Sequence, residues 1–272
     1  MYRVLVLVKQ VPDTKNVSEE AMNADGTINR AALPAIFNPE DLHALEMALN
    51  FKDKTETEIH VLSMGLVSAS EVLRETLFRG ADHAYLLNDR RFAGADTIAT
   101  SYALSKAIEK IGNIDLIFAG RQAIDGDTAQ VGPQVAKDLN LPQITYAEEL
   151  ISIEGKSLTL KRQIENGFEI IKGQMPLVVT VVDTAPHIRP RSIESMIFKR
   201  KSPIFIWNLE DIQADPQHTG MNGSPTNVHK IANVSFQNNN RKTHQVEISE
   251  TGFDDLLAAL IADRSVEEWK YE

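Results

Sequence analysis

Residues 119–133 carry the side chains in this chain that are best suited to binding a ligand. They read Ala-Gly-Arg-Gln-Ala-Ile-Asp-Gly-Asp-Thr-Ala-Gln-Val-Gly-Pro and follow a short apolar run at residues 116–118. In an open parallel sheet, such a loop lies beyond the carboxyl end of a strand, where helix N–H groups attract phosphates. Its polar side chains can bind ribose hydroxyls and a purine edge. The glycine spacing matches neither GxGxxG nor GxxxxGK[ST], so the residue types leave a nucleotide loop and an ordinary surface turn as alternatives.

Short apolar runs alternate with helical patterns, which predicts a parallel sheet built from βαβ units. The predicted strands are residues 4–8, 59–63, 84–87, 116–119 and 177–182, and the predicted helices are residues 39–52, 68–78, 95–111 and 130–139. Asn38 is expected to cap the first helix, because an asparagine side chain can accept the unpaired backbone N–H groups of a first turn. Proline at the following position fits this start, since it is well tolerated at the first position of a helix. An apolar stripe on that helix is predicted to pack in the core: Ala44, Leu45, Ala48 and Leu49.

Between residues 150 and 172 the pattern changes to strands alone. Residues 151–153 and 158–160 alternate apolar with polar side chains, and residues 154–157 and 165–167 are typical of turns. We therefore expect an antiparallel β meander with a structural role.

The composition limits the chemistry that this chain can perform. It has 272 residues, a formal net charge of −10 and no cysteine, which excludes disulfides and cysteine-bound metal clusters within it. The acidic charge opposes binding to nucleic acid. The seven histidines show no ligand spacing, so no metal site is predicted, and without a nucleophile elbow no catalytic residue is predicted either. The first apolar run is too short for a signal peptide or membrane span, so a cytoplasmic protein is expected.

A basic segment at residues 187–201 interrupts the acidic chain. Its only acidic side chain is Glu194. Its six basic side chains are His187, Arg189, Arg191, Lys199, Arg200 and Lys201. A solvated linker and a docking segment for a partner are the two interpretations of this pattern.

Several motifs of this chain resemble those of electron-transfer flavoprotein beta subunits. Residues 120–133 are similar to that family's nucleotide loop, residues 4–12 to its first strand, residues 38–41 to its Asn-Pro helix start, and residues 63–65 to its second-strand turn. Residues 161–170, followed by residues 176–180, nearly fit its signature sequence, although Asn166 replaces the usual acidic residue or glycine. The matches span about residues 2–210.

The resemblance implies a fold and a domain organisation. The fold class is α/β: a parallel-sheet, Rossmann-like adenine-nucleotide-binding domain at residues 1–210, with an antiparallel meander and a recognition loop at residues 187–201. Residues 211–272 would form a C-terminal extension that packs on this domain or on the partner subunit. Its segment at residues 223–228, Gly-Ser-Pro-Thr-Asn-Val, looks like one in bifurcating flavoproteins, and residues 252–262 are predicted to form a helix with one apolar face.

The family includes beta subunits that hold AMP and others that hold a second FAD, which accepts hydride from NADH. Gly126 and Ala129 stand where the AMP-binding kind usually has bulkier or acidic residues, so this chain resembles the FAD-binding kind. The cofactor-binding residues that this implies are Leu7, Asn38, Asp41, Met64, Gln122, Ala123, Ile124, Asp125, Gly126, Asp127, Thr128, Ala129, Gln130 and Val131. The partner-binding residues are Arg191, Ile193, Glu194, Met196, Arg200 and Lys201, with Ile193 or Met196 as the apolar anchor.

The implied function is electron bifurcation in a heterodimer with an alpha subunit. One electron from NADH would pass to ferredoxin or flavodoxin, and the other through the alpha-subunit FAD to a flavin-dependent dehydrogenase of the acyl-CoA, enoyl-CoA or lactate type. A non-bifurcating beta subunit that holds AMP as a structural nucleotide is the first alternative. A stand-alone adenine-nucleotide-binding regulator is the second. Counting the bound nucleotides distinguishes the three.

Overall fold

The computed structural model describes residues 1–13, 33–185, 187–226 and 249–262. The chain divides into two compact units, residues 1–229 and residues 230–272. Within the second unit, the described residues include one helix, α6 (Glu250–Ala262), where the sequence predicts a helix at residues 252–262. Residues 227–228 of the Gly-Ser-Pro-Thr-Asn-Val segment lie outside the described residues. In the part of the chain that the structure describes, no helix combines the length and the apolar character that a membrane crossing requires.

The strands of the first unit form a nine-stranded sheet and a separate two-stranded pair. They are β1 (Tyr2–Leu7), β2 (Gln10–Pro12), β3 (Ala35–Phe37), β4 (Thr57–Met64), β5 (His83–Leu87), β6 (Leu116–Gly120), β7 (Gln143–Glu154), β8 (Ser157–Ile164), β9 (Gly167–Gln174), β10 (Leu177–Val181) and β11 (Ile204–Trp207). The large sheet has the order β11-β5-β4-β1-β6-β10-β7-β8-β9, and β2 pairs with β3. Neighbours from β11 to β7 are parallel, whereas β7, β8 and β9 form the antiparallel meander that the sequence predicts.

Helices cover both faces of the sheet, so its central strands are buried on both sides. α1 (Pro39–Lys54) and α2 (Ser70–Arg79) pack in one apolar cluster, and α3 (Thr97–Ile111) and α4 (Val131–Asp138) pack in another. The apolar runs in β1, β6 and β10, which are interrupted only by Arg3 near the start of β1 and by Thr180 in β10, follow from this two-sided burial. The fold is therefore the mixed α/β arrangement with a mostly parallel sheet that the sequence predicts.

The order of the strands locates the edge at which a ligand is expected. The chain runs from β1 outward to β4 and β5, and then returns to β6 on the other side of β1. The direction in which successive strands are added to the sheet therefore reverses between β1 and β6. In open α/β sheets, ligands bind at such a reversal, outside the carboxyl ends of the strands. Here those ends lead into Lys9 and into the loop after Gly120.

Most predicted elements are confirmed to within a few residues, and the stripe Ala44, Leu45, Ala48 and Leu49 is buried. Two predictions are wrong. The side chain of Asn38 makes no capping hydrogen bond to α1, because it is used by a distant loop. The basic segment, expected to be a loop, contains a two-turn helix, α5 (Ile193–Lys199). The edge strand β11 was not predicted.

Candidate functional site

The loop of residues 121–130, for which the sequence predicts a ligand and which we call the ligand loop, begins at the carboxyl end of β6 and is held by the start of α1. Asn38, which is fully buried, donates from Nδ2 to the carbonyl of Gln122 at 2.9 Å. Its Oδ1 accepts the backbone N–H of Ile124 at 3.2 Å. Since both ends of this amide are used, Asn38 positions the backbone of the loop.

Asp41 joins the ends of the two central strands. Its Oδ2 accepts the backbone N–H of Lys9 at 2.8 Å, and its Oδ1 accepts that of Gly120 at 3.2 Å. Burial raises the pKa of Asp41 to about 7, although hydrogen bonds with Asn38, Lys9 and Gly120 act in the opposite direction. This carboxyl group therefore fixes the spacing between β1 and β6 where the ligand loop begins.

Glu40 holds the first residues of the loop with both carboxylate oxygens. One oxygen pairs with Arg121 Nη2 at 2.7 Å, and the other accepts the backbone N–H of Gln122 at 2.9 Å. The guanidinium of Arg121 also lies 5.7 Å from the ring centroid of Tyr146. Together with Asn38 and Asp41, Glu40 explains why a polar Asn-Pro-Glu-Asp sequence begins a buried helix.

Lys9 brings a cation to the loop from the end of β1. Its Nζ lies 2.7 Å from Asp125 Oδ2, and the lysine side chain is 46% exposed. A phosphate group is the kind of ligand that such a lysine can bind. Sequence reasoning did not include Lys9, Glu40 or Arg121 among the site residues. The signal for Lys9 was its position directly after the first apolar run.

The outer side of the loop is open. Residues 126–128 are exposed, and a Cβ atom added to Gly126 would meet no described atom within 4 Å. α4 starts five residues later, and among the described residues no side chain caps its first turn. Its first backbone N–H groups are therefore available to an anion. Gln122 Nε2 donates to Asp127 Oδ1 at 3.0 Å and steadies the exposed turn.

Two residues of the loop have left-handed backbone conformations although neither is glycine. Asp127 has φ of 49° and Ala129 has φ of 53°. This conformation costs roughly 1–2 kcal/mol for an L-residue. Backbone strain of this kind is concentrated at ligand-binding loops, where the surrounding structure enforces it.

The end of the loop is connected to α3 and to the segment after β11. Gln130 Oε1 lies 2.9 Å from Thr97 Oγ1 at the first residue of α3. The preceding Asp96 caps α3 and accepts the backbone N–H of Thr226 at 3.1 Å. Ser224 Oγ accepts the backbone N–H of Asp96 at 2.8 Å. These contacts bring residues 224–226 of the Gly-Ser-Pro-Thr-Asn-Val segment next to the loop.

The remaining predicted cofactor residues lie along the same edge of the sheet. Leu7 is the last residue of β1 and pairs with Ala119 of β6, and Met64 is the last residue of β4. Both contribute to the apolar cluster that contains α3 and α4. The structure thus places the fourteen predicted residues at the carboxyl edge around the β1–β6 reversal.

The predicted docking segment presents apolar side chains to solvent on α5. Ile193 is 77% exposed and Met196 is 39% exposed, and two residues that sequence reasoning missed, Ile197 and Phe198, are also exposed. Arg191, Glu194, Arg200 and Lys201 are exposed as well.

Polar contacts hold α5 on the domain and use part of the basic charge. Lys199 Nζ donates to the carbonyl of Ala81 at 2.6 Å, while Arg74 donates to the carbonyls of Lys199 and Ser202. Arg189 pairs with the buried Glu46 at 2.9 Å and with Asp53 at 2.7 Å. Arg189 and Lys199 therefore have structural roles, whereas the apolar side chains of α5 remain exposed.

Comparison with known proteins identifies relatives over most of the chain. Residues 25–197 match the model of the electron transfer flavoprotein domain. The chain is 49% identical over 227 residues to the caffeyl-CoA reductase-Etf complex subunit CarD of Acetobacterium woodii, covering 83% of this chain and 86% of that protein. It is 46% identical over 226 residues to the electron transfer flavoprotein subunit beta of Thermoanaerobacterium thermosaccharolyticum, covering 83% and 85%. It is 40% identical over 265 residues to protein FixA of Sinorhizobium fredii, covering 95% and 92%.

Proposed function

Because this chain belongs to the electron transfer flavoprotein family and its relatives include beta subunits, we propose that it is the FAD-binding beta subunit of an electron-bifurcating heterodimer. The observation that carries the proposal is the open space beside Gly126, in a loop that Asn38, Glu40 and Asp41 hold in one conformation. A flavin needs that space, whereas an acidic side chain at residue 126 would fill it.

The residues around this loop suit the diphosphate and the sugar alcohol of FAD. Lys9 supplies a positive charge, and the uncapped start of α4 supplies backbone N–H groups for the phosphates. Asp127, Thr128 and Gln130 supply oxygen and amide groups for the ribitol and ribose hydroxyls. Leu7 and Met64 provide apolar surface at the adjacent strand ends.

Bound FAD would supply the redox chemistry, by taking hydride from NADH and releasing the electrons to ferredoxin or flavodoxin and to the alpha-subunit FAD. The protein itself needs no acid or base for this reaction. Its residues bind the nucleotide, exclude alternative conformations of the loop and set the position of the cofactor.

Two exposed apolar surfaces support an assembly with other proteins. The meander exposes Ile164, Phe168 and Ile170 on β8 and β9, and α5 exposes Ile193 and Phe198. We assign α5 to the partner dehydrogenase, because an apolar anchor next to Arg200 and Lys201 combines a buried contact with electrostatic steering. The alpha subunit is the other partner. The complex is placed in the cytoplasm, and residues 211–272 are assigned to cover the α/β domain or the alpha subunit.

The decisive experiment is to purify the chain with its alpha subunit and count the extracted nucleotides. Two FAD per heterodimer are expected, and the FAD should be reduced anaerobically by NADH when no dehydrogenase is present. One FAD and one AMP would instead establish the non-bifurcating alternative. A chain that binds an adenine nucleotide but no alpha subunit would establish the stand-alone regulator. A two-flavin complex that stays oxidised in excess NADH would exclude NADH as the electron donor.

A further inference from the structure

Three potential metal ligands converge at the amino-terminal edge of the sheet, opposite the ligand loop. Glu58 and His60 lie on the same face of β4, because they are two residues apart on a strand. The parallel register of β4 and β5 places His60 beside His83. Their rings stack with centroids 4.8 Å apart and an interplanar angle of 24°. The sheet therefore brings together residues whose separation along the chain shows no ligand spacing.

The donor atoms of these residues are close enough to share one ion. Glu58 Oε1 lies 2.6 Å from His83 Nε2, and Glu58 Oε2 lies 3.1 Å from His60 Nε2. The three donor atoms lie within 4.8 Å of one another. Two imidazoles and one carboxylate form a ligand set for zinc that leaves a fourth position for water. We propose that Glu58, His60 and His83 bind Zn²⁺.

The surroundings of His60 favour this role. Its Nδ1 lies 3.2 Å from the hydroxyl of Tyr85, which directs Nε2 toward Glu58. Tyr85 is in turn packed against Trp207 and Phe205, with ring centroids 4.7 and 5.5 Å away. Hydrogen bonds of this kind to the second ring nitrogen orient metal-binding histidines. His60 is 2% exposed, whereas the side chain of His83 is 38% exposed, so one side of the cluster is open to an entering ion.

Arg3 is the group that opposes the binding of a cation. Its Nε lies 3.5 Å from Glu58 Oε2, and its Nη2 lies 3.3 Å from His60 Nε2. Because like charges repel at these distances, the guanidinium must move away when Zn²⁺ binds. Arg3 Nη1 also donates to the carbonyl of Gly112 at 2.6 Å. Zn²⁺ therefore competes with Arg3 for Glu58 and His60.

The position of the site separates it from the proposed flavin chemistry. It lies at the amino ends of β4 and β5, whereas the ligand loop lies beyond the carboxyl ends of β1 and β6. Bound Zn²⁺ would link two neighbouring strands and stabilise the folded state by an amount that rises with the logarithm of its concentration relative to its dissociation constant. This inference does not depend on which nucleotide the loop binds.

The test uses the complete heterodimer, treated with EDTA, transferred to chelator-free buffer and titrated with ZnCl₂ by calorimetry. His83→Ala truncates the more exposed histidine. Because it removes a ligand itself, it should weaken Zn²⁺ binding by more than the roughly 10–100-fold loss that follows removal of a residue hydrogen-bonded to a ligand. Glu58→Gln, which retains the shape of the side chain, should weaken it as well. Arg3→Met should tighten binding, because it removes the competing charge and keeps an apolar stem.

His218→Ala is the matched control, because His218 lies 3.3 Å from Asp215 in a pair of the same chemical kind, and no third ligand joins this pair among the described residues. The variant should bind Zn²⁺ as the unaltered protein does. ZnCl₂ should also raise the melting temperature of the unaltered heterodimer, but not that of His83→Ala. Equal Zn²⁺ affinity and stoichiometry in His83→Ala and the unaltered protein would overturn the inference, and so would unchanged or weaker binding in Arg3→Met.

Discussion

The carboxylate of Asp41 occupies the space in which a side chain on Gly120 would begin. Gly120 donates its backbone N–H to Asp41 Oδ1 at 3.2 Å, and a Cβ atom on Gly120 would overlap the same oxygen. It would also lie within 2.9 Å of the Asp41 backbone nitrogen. The glycine is therefore required by the close approach of α1 to the end of β6, and Asp41 is required to satisfy the N–H groups exposed there.

Gly120→Ala is expected to destabilise the protein, because the added methyl group must displace a buried carboxylate and backbone atoms. Overpacking of this kind costs typically 1–3 kcal/mol. Gly126→Ala is the matched control, because its Cβ would meet no described atom within 4 Å and its φ is not positive. The free energy of unfolding, measured with denaturant, should fall in Gly120→Ala and change little in Gly126→Ala. Equal stability of the two variants would contradict this account of the β6 end.

The raised pKa of Asp41 predicts a specific dependence of stability on pH. The carboxyl group titrates at about 7 in the folded protein and near its ordinary value of 3.8 when unfolded. The folded state therefore binds the proton more strongly. This group stabilises the protein fully below pH 3.8, and its contribution is lost as the pH rises to about 7.

Asp41→Asn should remove that part of the pH dependence. The comparison is the free energy of unfolding at pH 5 and at pH 8, for the variant and for the unaltered chain. Glu154→Gln serves as the control, because the exposed Glu154 pairs with Lys172, which lowers its pKa. If the decrease between the two pH values is the same in Asp41→Asn as in the unaltered chain, Asp41 does not retain its proton in the folded state.

Asn38 should matter for ligand binding through the shape of the loop. Asn38→Ala removes the acceptor of Ile124 N–H and the donor to Gln122, and leaves these partly buried backbone groups without their partner. The expected loss of stability is about 1–3 kcal/mol. Asn38→Asp should lose flavin as well, because its carboxyl group keeps the acceptor for Ile124 N–H but faces the carbonyl of Gln122, where a donor is needed. Flavin content per heterodimer is the measurement, and full flavin content in Asn38→Ala would show that the loop needs no such support.

The sequence predicts the α/β core well, because local signals specify its elements. Buried strands such as β6 have continuous apolar runs, and the start of α1 is marked by Pro39. Asn38 was wrongly predicted to cap that helix, since its partners Gln122 and Ile124 are distant in sequence. Sequence rules for helix ends consider only nearby residues. They cannot reveal that a side chain forms hydrogen bonds with a distant loop instead of capping its helix.

Side chains brought together by strand register are the second kind of feature that sequence reasoning misses. His60 and His83 come together only because β4 and β5 pair in one particular register. The resemblance implied a loop where α5 forms, and no buried stripe marks this helix, because its apolar residues face solvent. In contrast, the position of the loop at residues 121–130 was predictable, because glycines and polar residues directly follow a buried strand.

The open space at Gly126 predicts how the loop would respond to a carboxylate. Gly126→Asp should reduce the FAD content of the heterodimer toward one per complex without unfolding the protein, because this site is an exposed turn. Gln217→Asp is the matched control, because it adds the same charge at an exposed position elsewhere. Flavin extraction and circular dichroism measure the two effects. A full second FAD in Gly126→Asp would show that the flavin does not occupy this space.

The exposed face of α5 yields the last prediction, which concerns the dehydrogenase. Truncating Ile193 and Met196 to alanine should weaken dehydrogenase binding, because an apolar anchor at an interface contributes most of its binding energy by burial. Replacing Arg200 and Lys201 with glutamate should mainly slow association and reduce its salt dependence, since these charges steer the encounter.

Flavin content and reduction by NADH should stay unchanged in these variants, because α5 is held on α2 and on the turn between α2 and β5 by contacts that they retain. Ile151→Ala, which shortens an exposed isoleucine on β7, is the control for loss of apolar surface. Unlike the replacements on α5 and Ile151→Ala, Arg189→Ala should lower the free energy of unfolding, because it leaves the buried Glu46 without its ion-pair partner. The measurement is the rate of dehydrogenase reduction over a range of dehydrogenase concentrations. An unchanged rate in the variant that combines all four replacements would mean that the dehydrogenase binds elsewhere and that residues 187–201 serve only to connect β10 with β11.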